Sequence, residues 1–323
     1  MTPPIFSQFS SGGGGRAAGF GMGPMGAAAG AMDIELIAQS QGRNFGSYTL
    51  NNPYGLSIST NWQYSGYFSY VVPSNATYRM TVRGANGRYQ GIENSTPENY
   101  GAEIIADVGV SAGWTLVFTA GQTGDGNCSD NAGGGGGGMS VVAYTTSSVG
   151  NAQPLVVGGG GGGSCYNRTG QENDRGYANT NQTGRAGKSS GYSITGHGWG
   201  NGNGGQASNS QNAIAAWNGG GFNNGGSGNS ARSGGNHGNS WRSGGVAGSN
   251  QGGSNYAGFG GGGGGANNCG YGGGAGGYSG GGAGGYTNGC GGHGGGGGSY
   301  YTGNLVSASN YNTRYGYVRI QSV

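Results

Sequence analysis

The residues of this chain that could do acid–base, nucleophilic or metal chemistry are few and far apart in the sequence. The three histidines are His197, His237 and His293, and each lies in a glycine-rich stretch. A nucleophile needs an adjacent base, and a base needs a partner that orients it. The nearest such combination is Cys290 with His293, which a solvent-exposed loop explains better than a site does. The sequence therefore predicts a protein that is not an enzyme and binds no cofactor.

Four cysteines are present, and their even number allows two disulfides. The simplest pairing joins Cys128 to Cys165 and Cys269 to Cys290. Spacing alone does not decide between this pairing, another pairing and four free thiols. No two cysteines have the C-x2-C spacing that is common in four-cysteine zinc sites, so the sequence predicts no metal site.

Large aromatic and arginine side chains in the glycine-rich half are better candidates for a functional surface. Tryptophan and arginine are enriched among the residues that dominate binding at protein interfaces. The candidates for receptor contact are Trp199, Trp217, Phe222, Arg232, Trp241 and Arg242. The alternative interpretation is that these side chains pack at the rim of a glycine-rich array or between subunits.

Glycine dominates the composition, with 88 of 323 residues, whereas charged residues make up only 7%. Ordering a residue costs about 1–2 kcal/mol, so a glycine-rich chain is a candidate for disorder. Aromatic residues, however, form 11% of the chain, including 21 tyrosines, which is not typical of a flexible linker. The aromatic content favours an ordered protein.

The charges are distributed unevenly. All ten acidic residues lie at or before Asp174, and only seven basic residues follow it. A basic half raises the question of nucleic-acid binding. These basic residues are widely spaced, and no Arg-Gly-Gly tripeptide occurs, so a solvated, weakly positive surface is the better interpretation.

Period-two alternation predicts strands in the first half and at the carboxyl end. Strands are expected near residues 48–50, 56–59, 64–72, 77–84, 102–110, 114–120, 139–144, 154–157 and 315–323, with Val318 and Ile320 inward. Residues 1–45 are predicted to be an amino-terminal docking arm, within which residues 27–41 form a short helix or an extended segment. Residues 46–323 are predicted to be one all-β domain, a jelly-roll-like β-sandwich with a glycine-rich insertion at about 158–300.

The glycine runs within and just before this insertion can be ordered if they pack against one another. An extended helix with three residues per turn leaves its N–H and C=O groups pointing outward. Without Cβ atoms, such segments can approach closely enough for the backbone groups of neighbours to bond. The sequence therefore predicts packed polyglycine II helices, held at both ends by the sandwich.

The order of these blocks resembles the glycine-rich domain family. The blocks lie at residues 66–73, 82–87, 101–124, 133–142, 154–163, 259–265, 276–282, 294–300 and 316–320. The series is similar to that of the glycine-rich ectodomain of the anaplastic lymphoma kinase and leukocyte tyrosine kinase receptors. It is also similar to polyglycine-helix tip adhesins of T-even-type phage tail fibres. The resemblance implies a sandwich with packed polyglycine helices, and in the adhesins it implies loops that contact a host receptor.

The residues show no typical signal peptide and no apolar segment long enough to span a membrane. Together with the resemblance, this predicts a virion surface protein of a phage tail fibre, tip or capsid appendage, or otherwise an extracellular protein. The expected partners are other virion subunits, bound through the arm, and a host surface glycan or protein. We expect a homo-oligomer that binds no nucleic acid. The alternatives are a purely structural subunit without a ligand and a disordered, RNA-associated glycine-rich protein.

Overall fold

The structure is a computed structural model, and it describes 14 segments of the chain. They are residues 32–39, 48–53, 59–61, 67–88, 99–124, 133–164, 176–188, 194–207, 216–228, 236–249, 257–266, 271–285, 292–311 and 314–323. The strands in chain order are β1 (Asp33–Ala38), β2 (Tyr48–Asn51), β3 (Ser59–Asn61), β4 (Tyr67–Val71), β5 (Ala76–Arg83), β6 (Gly101–Val110), β7 (Thr115–Thr119), β8 (Ser140–Thr145), β9 (Gln153–Gly158), β10 (Gly187–Lys188), β11 (Ile194–His197), β12 (Gln206–Ala207), β13 (Tyr300–Tyr301), β14 (Asn304–Tyr311) and β15 (Tyr317–Ser322). Two single-turn 3-10 segments, Val149–Asn151 and Trp241–Ser243, are the only helical elements in these residues.

Twelve of the strands form two six-stranded antiparallel sheets. The first sheet has the order β14-β6-β5-β15-β1-β2, and the second has the order β13-β9-β8-β7-β4-β3. The prediction of an all-β chain is confirmed. The alternation read from the sequence also holds, because β5 and β6 bury every second side chain over most of their length.

One hydrophobic core lies between the two sheets. Alternate residues of the first sheet, such as Met80 and Ile104, pack against residues of the second sheet, such as Phe68 and Phe118. The phenyl rings of Phe68 and Phe118 are stacked with their centroids 5.9 Å apart. Side chains of both sheets therefore fill a single apolar layer.

The last strand returns to the sheet that the first half builds, as predicted. β15 lies between β5 and β1, and it pairs with both in antiparallel register. Val318 and Ile320 are fully buried. β9 and β13 both belong to the second sheet, and the chain then returns to the first sheet through β14 and β15. The glycine-rich region between β9 and β13 is therefore an insertion whose two ends are fixed in the second sheet.

The boundary predicted at residue 45 differs from the structure. Residues 33–38 were assigned to the arm, but they form β1, which lies inside the first sheet between β15 and β2. The extended alternative for this segment is thus the observed one, although its partners belong to the same chain. Ile34, Leu36 and Ala38 are fully buried in the core, which explains why the segment docks there. Residues 1–31 lie outside the described residues.

The glycine runs of the described chain bond laterally to one another, and their hydrogen bonds repeat every three residues. In residues 133–139, every third amide donates to one neighbouring segment, whose acceptors are also three residues apart: Gly133 to Ala266, Gly136 to Gly263 and Met139 to Gly260. The amides of Gly134 and Gly137 donate to a second neighbour, at Ser164 and Gly161. Each segment thus has several neighbours around it, unlike a strand in a sheet. We call these bonded segments, at 84–88, 120–124, 133–138, 158–164 and in the described residues between 176 and 299, the glycine array.

Contacts within the glycine array leave no room for side chains at its centre. A Cβ atom placed on Gly160 would lie 2.4 Å from the carbonyl oxygen of Gly137, and one on Gly163 would lie 1.9 Å from that of Gly134. Both distances are far below van der Waals contact. The composition of the runs is therefore a steric requirement of their packing.

Candidate functional site

The glycine array rests on the outer face of the second sheet through an aromatic cluster. Phe222, Trp241 and Tyr278 come from turns of the array, and they pack with Tyr300 over β7, β8 and β9. The rings of Phe222 and Trp241 are stacked at 5.0 Å, and those of Tyr278 and Tyr300 at 4.5 Å. We call these four residues the aromatic clamp, because they join the glycine array to the second sheet.

Trp241 and Arg242 connect the aromatic clamp to the sheet by hydrogen bonds as well. The indole Nε1–H of Trp241 donates to Thr119 Oγ1 at 3.0 Å. The guanidinium of Arg242 donates twice to the carbonyl oxygen of Ala152, at 3.1 and 2.6 Å, and lies 5.2 Å from the centre of the Phe222 ring. Both side chains are engaged within the chain.

The six predicted receptor-contact residues differ in burial and position in the structure. Trp217, Phe222 and Trp241 are at most 3% exposed, so their interpretation as receptor contacts is wrong, and the alternative of packing in the array describes them. Arg242 holds the aromatic clamp. Trp199 remains exposed, and Arg232 lies outside the described residues, as do Cys128, Cys165, Cys269 and Cys290.

Trp199 begins an exposed turn that is rich in amide side chains. Its side chain is 41% exposed, and its backbone is fixed because its carbonyl accepts from the Gly184 amide at 2.9 Å. The turn reverses at Asn201 and Gly202, whose φ angles are 58° and 79°. Asn-Gly is the pair that most readily adopts positive φ at two successive residues. This dipeptide is the sequence signal that could have located the turn.

Asparagines surround this turn and hold it against the next one. Asn224 Nδ2 donates to Asn203 Oδ1 at 2.6 Å, and Asn223 Nδ2 donates to the carbonyl oxygen of Asn201 at 3.3 Å. We call Trp199, Asn201, Asn203, Asn223 and Asn224 the amide patch. It combines one exposed aromatic side chain with several amide groups. Of its five residues, only Trp199 is predicted from the sequence as a candidate for receptor contact.

Segments of the glycine array that lie far apart in the sequence bond to one another. Ser164 N–H donates to the carbonyl oxygen of Arg88 at 3.0 Å, and Gly133 N–H donates to that of Ala266 at 3.0 Å. Lys188 and His293 form an antiparallel bridge. The array therefore joins distant parts of the chain through backbone hydrogen bonds.

The outer face of the first sheet carries charges that are paired. Arg79 binds Asp107 at 2.8 Å, Arg319 binds Asp33 at 2.9 Å, and Arg83 binds Glu103. The hydrogen bond from each arginine lowers the pKa of Asp33 and of Asp107. Each of these arginines is paired with a carboxylate of an adjacent strand, so in the described part of this face they form no unpaired basic surface.

His237 links two segments of the glycine array. Its Nδ1 accepts from the Asn218 amide at 3.1 Å, which places the proton on Nε2, and Nε2–H donates to the Gly228 carbonyl oxygen at 3.0 Å. Burial lowers the pKa of this imidazole below its usual value of 6.5. Protonation would also put a proton on Nδ1 and break the bond from Asn218.

Acid is expected to destabilise the protein through His237. A histidine whose pKa is lower in the folded than in the unfolded state contributes stability that is present above pH 6.5 and is lost as the pH falls through the folded pKa. The loss is at most about 1.4 kcal/mol per pH unit in that window. Denaturant unfolding of the wild type and of His237→Asn, from pH 7.5 to 5.0, measures it. Asparagine keeps an acceptor but does not titrate. Equal pH slopes in the two proteins would contradict the prediction.

Groups of three or more metal-ligating side chains do not occur among the residues that the structure describes. No helix in the same residues is long and apolar enough to cross a membrane. The sequence matches no protein-family model and no curated protein. A functional conclusion must therefore come from the geometry of the chain itself.

Proposed function

We propose that this chain is a structural protein of a virion surface, in a tail fibre, a tip or a capsid appendage, and that it presents a glycine-rich domain for attachment to a host. The observation that carries the proposal is the glycine array, which is bonded internally through its backbone and joined to a two-sheet core by the aromatic clamp. Such a scaffold holds its exposed turns in fixed positions mainly through backbone hydrogen bonds. The resemblance of the glycine blocks to phage tip adhesins supports the same interpretation.

We further propose that the fold is a jelly-roll-like sandwich with packed polyglycine II helices. The three-residue repeat of the hydrogen bonds supports helices of this type, because polyproline II-like segments have three residues per turn. The chain also changes between the two large sheets four times: from β2 to β3, from β4 to β5, from β6 to β7 and from β13 to β14. Crossings of this kind are a property of Greek-key sandwiches.

The amide patch is the proposed contact with the host, and its chemistry suits a glycan. An exposed indole face can stack on the apolar face of a sugar ring, and amide groups both donate and accept hydrogen bonds. Trp199 supplies the ring, and Asn201 and Asn224 supply exposed amides. In this proposal, residues 1–31 would anchor the chain to other virion subunits, and nucleic acid is not a partner.

Replacing Trp199 by alanine is expected to weaken host binding by about thirtyfold, equivalent to about 2 kcal/mol for an aromatic hot spot. Binding of the purified protein to a glycan array and to bacterial cells measures the effect. Tyr301→Ala is the matched control, because Tyr301 is 38% exposed but belongs to β13 and not to the amide patch. Equal binding by both variants and the wild type would remove the amide patch from the proposal.

The alternative of a purely structural subunit is favoured by one observation. Trp217, Phe222 and Trp241 pack inside the chain and Arg242 is bonded to Ala152, so four of the six aromatic and arginine candidates serve stability. If the wild type binds neither glycans nor cells, this alternative replaces the attachment function.

The alternative of a disordered RNA-associated protein makes the opposite prediction for the glycine array. Unprotected amides in hydrogen exchange, together with salt-dependent binding to nucleic acid, would favour it.

A further inference from the structure

The two large sheets end in four edge strands, and one of them differs from the others. β2, β3 and β13 have four, three and two residues, whereas β14 has eight. Natural proteins protect exposed edges by keeping them short or by placing charges and prolines on them. Three of the edges in the described chain are short. β14 is long, and its sequence Asn-Leu-Val-Ser-Ala-Ser-Asn-Tyr contains neither charge nor proline.

β14 is also exposed along its whole length. All eight residues are exposed, and Leu305, Val306 and Tyr311 keep 44%, 48% and 37% of their surface in contact with solvent. Among the residues that the structure describes, the strand pairs with β6 on one side and with no strand on the other. Its outer edge therefore presents a row of backbone N–H and C=O groups, which an additional strand can bind.

We propose that the outer edge of β14 pairs antiparallel with β14 of a second copy of this chain, so that two six-stranded sheets become one. This is an isologous interface, in which each copy supplies the same strand about a twofold axis. The proposal concerns self-association and does not rest on the proposed attachment function.

The charges around β14 favour a second copy as the partner. An antiparallel strand that pairs with its own copy brings a charge at its centre close to the same charge of the partner, and like charges opposite each other are destabilising. The neighbouring strands β5 and β6 carry Arg79, Arg83, Glu103 and Asp107 on their outer face. β14 carries none, so nothing in it opposes self-pairing.

The register with β6 indicates where the twofold axis passes. β14 has a bulge between Leu305 and Ser307, after which Ser307–Tyr311 pairs regularly with β6. The middle residue of this regular part is Ser309, and we place the twofold axis there. The side chains of residues that face each other across the two copies then point to the same side of the sheet. Ser307 then faces Tyr311 of the partner subunit, Ala308 faces Asn310 of the partner subunit, and Ser309 faces its own counterpart.

The oligomeric state in solution tests the proposal. Sedimentation equilibrium over a concentration series is expected to show a wild-type dimer. Ser309→Lys is expected to raise the dissociation constant at least about a hundredfold, because two ammonium groups would meet at the axis. Within one chain Ser309 faces Glu103 on β6, so the lysine is tolerated there. The matched control is Ser147→Lys, in the exposed turn between β8 and β9, which is expected to remain dimeric.

A mixture supplies a second measurement that does not depend on one variant alone. Ser309→Lys mixed with the double variant Ser309→Glu/Glu103→Gln is expected to form a heterodimer, because opposite charges then meet at the axis. Glu103→Gln removes the carboxylate that Ser309→Glu would otherwise face on β6. Thermal melting of each variant shows that it is folded. A wild type that stays monomeric at the highest concentration, a Ser309→Lys variant that stays dimeric, or a mixture that stays monomeric would each overturn the proposal.

Discussion

Gly160→Ala is expected to lower the free energy of unfolding by about 3 kcal/mol or more, the upper part of the range for overpacked interiors. The added Cβ would meet the Gly137 carbonyl oxygen at 2.4 Å and that of Gly138 at 2.9 Å. Both obstacles are backbone atoms inside the glycine array, so no side chain can rotate away. Separating the segments would also lengthen the bond from the Gly160 amide to the Gly276 carbonyl oxygen, which is 2.8 Å long. Denaturant unfolding measures the effect.

Gly109→Ala is the control for this substitution. Gly109 is an exposed residue of β6, and a Cβ there meets nothing within 4 Å. Alanine restricts the unfolded chain more than glycine does, so a change between zero and about 1 kcal/mol of stabilisation is expected. Similar losses from Gly109→Ala and Gly160→Ala would mean that close packing is not what requires glycine in the array.

Two kinds of strand are predicted correctly from the sequence. Some, such as β5 and β6, have one buried and one solvated face, whereas the apolar strands β7, β8 and β9 are buried on both faces. β5 and β6 alternate because the core lies on one side of the first sheet. β14 was missed because both of its faces are exposed, so no alternation marks it. β1 does alternate, but its partner β15 lies about 280 residues away, and the glycine- and alanine-rich sequence before it favoured an arm.

The sequence predicts that the glycine runs bond laterally, but it does not predict which runs become neighbours. Steric access between backbones depends only on the absence of Cβ, so the runs themselves indicated lateral bonding. The choice of neighbour for each run depends on the turns, and glycine carries no side chain that could specify it. The same limit applies to tryptophan. Trp199 and Trp241 occupy similar glycine-rich surroundings in the sequence, and only the position of each turn relative to the second sheet makes one exposed and the other buried.

Trp241→Ala is expected to cost about 3–5 kcal/mol of stability, as for other large aromatic residues removed from a core. The indole ring is 3% exposed, stacks on Phe222 and packs on β7 and β8. Its removal also leaves the buried hydroxyl of Thr119 without the Nε1–H donor. Because the aromatic clamp joins the glycine array to the sheet, hydrogen exchange should accelerate in the array more than in the core between the sheets.

Two further substitutions separate the contributions of Trp241. Trp241→Phe keeps an aromatic ring on Phe222 but loses the hydrogen bond to Thr119, so it is expected to cost about 1–3 kcal/mol. Trp199→Ala, at an exposed position, is expected to change stability by no more than about 0.5 kcal/mol. A host-binding loss in Trp241→Ala would therefore report unfolding of the array, whereas the same loss in Trp199→Ala would report contact. If Trp241→Ala proves as stable as Trp199→Ala, the glycine array does not depend on the aromatic clamp. That result would contradict the proposal that the clamp holds the array on the second sheet for attachment.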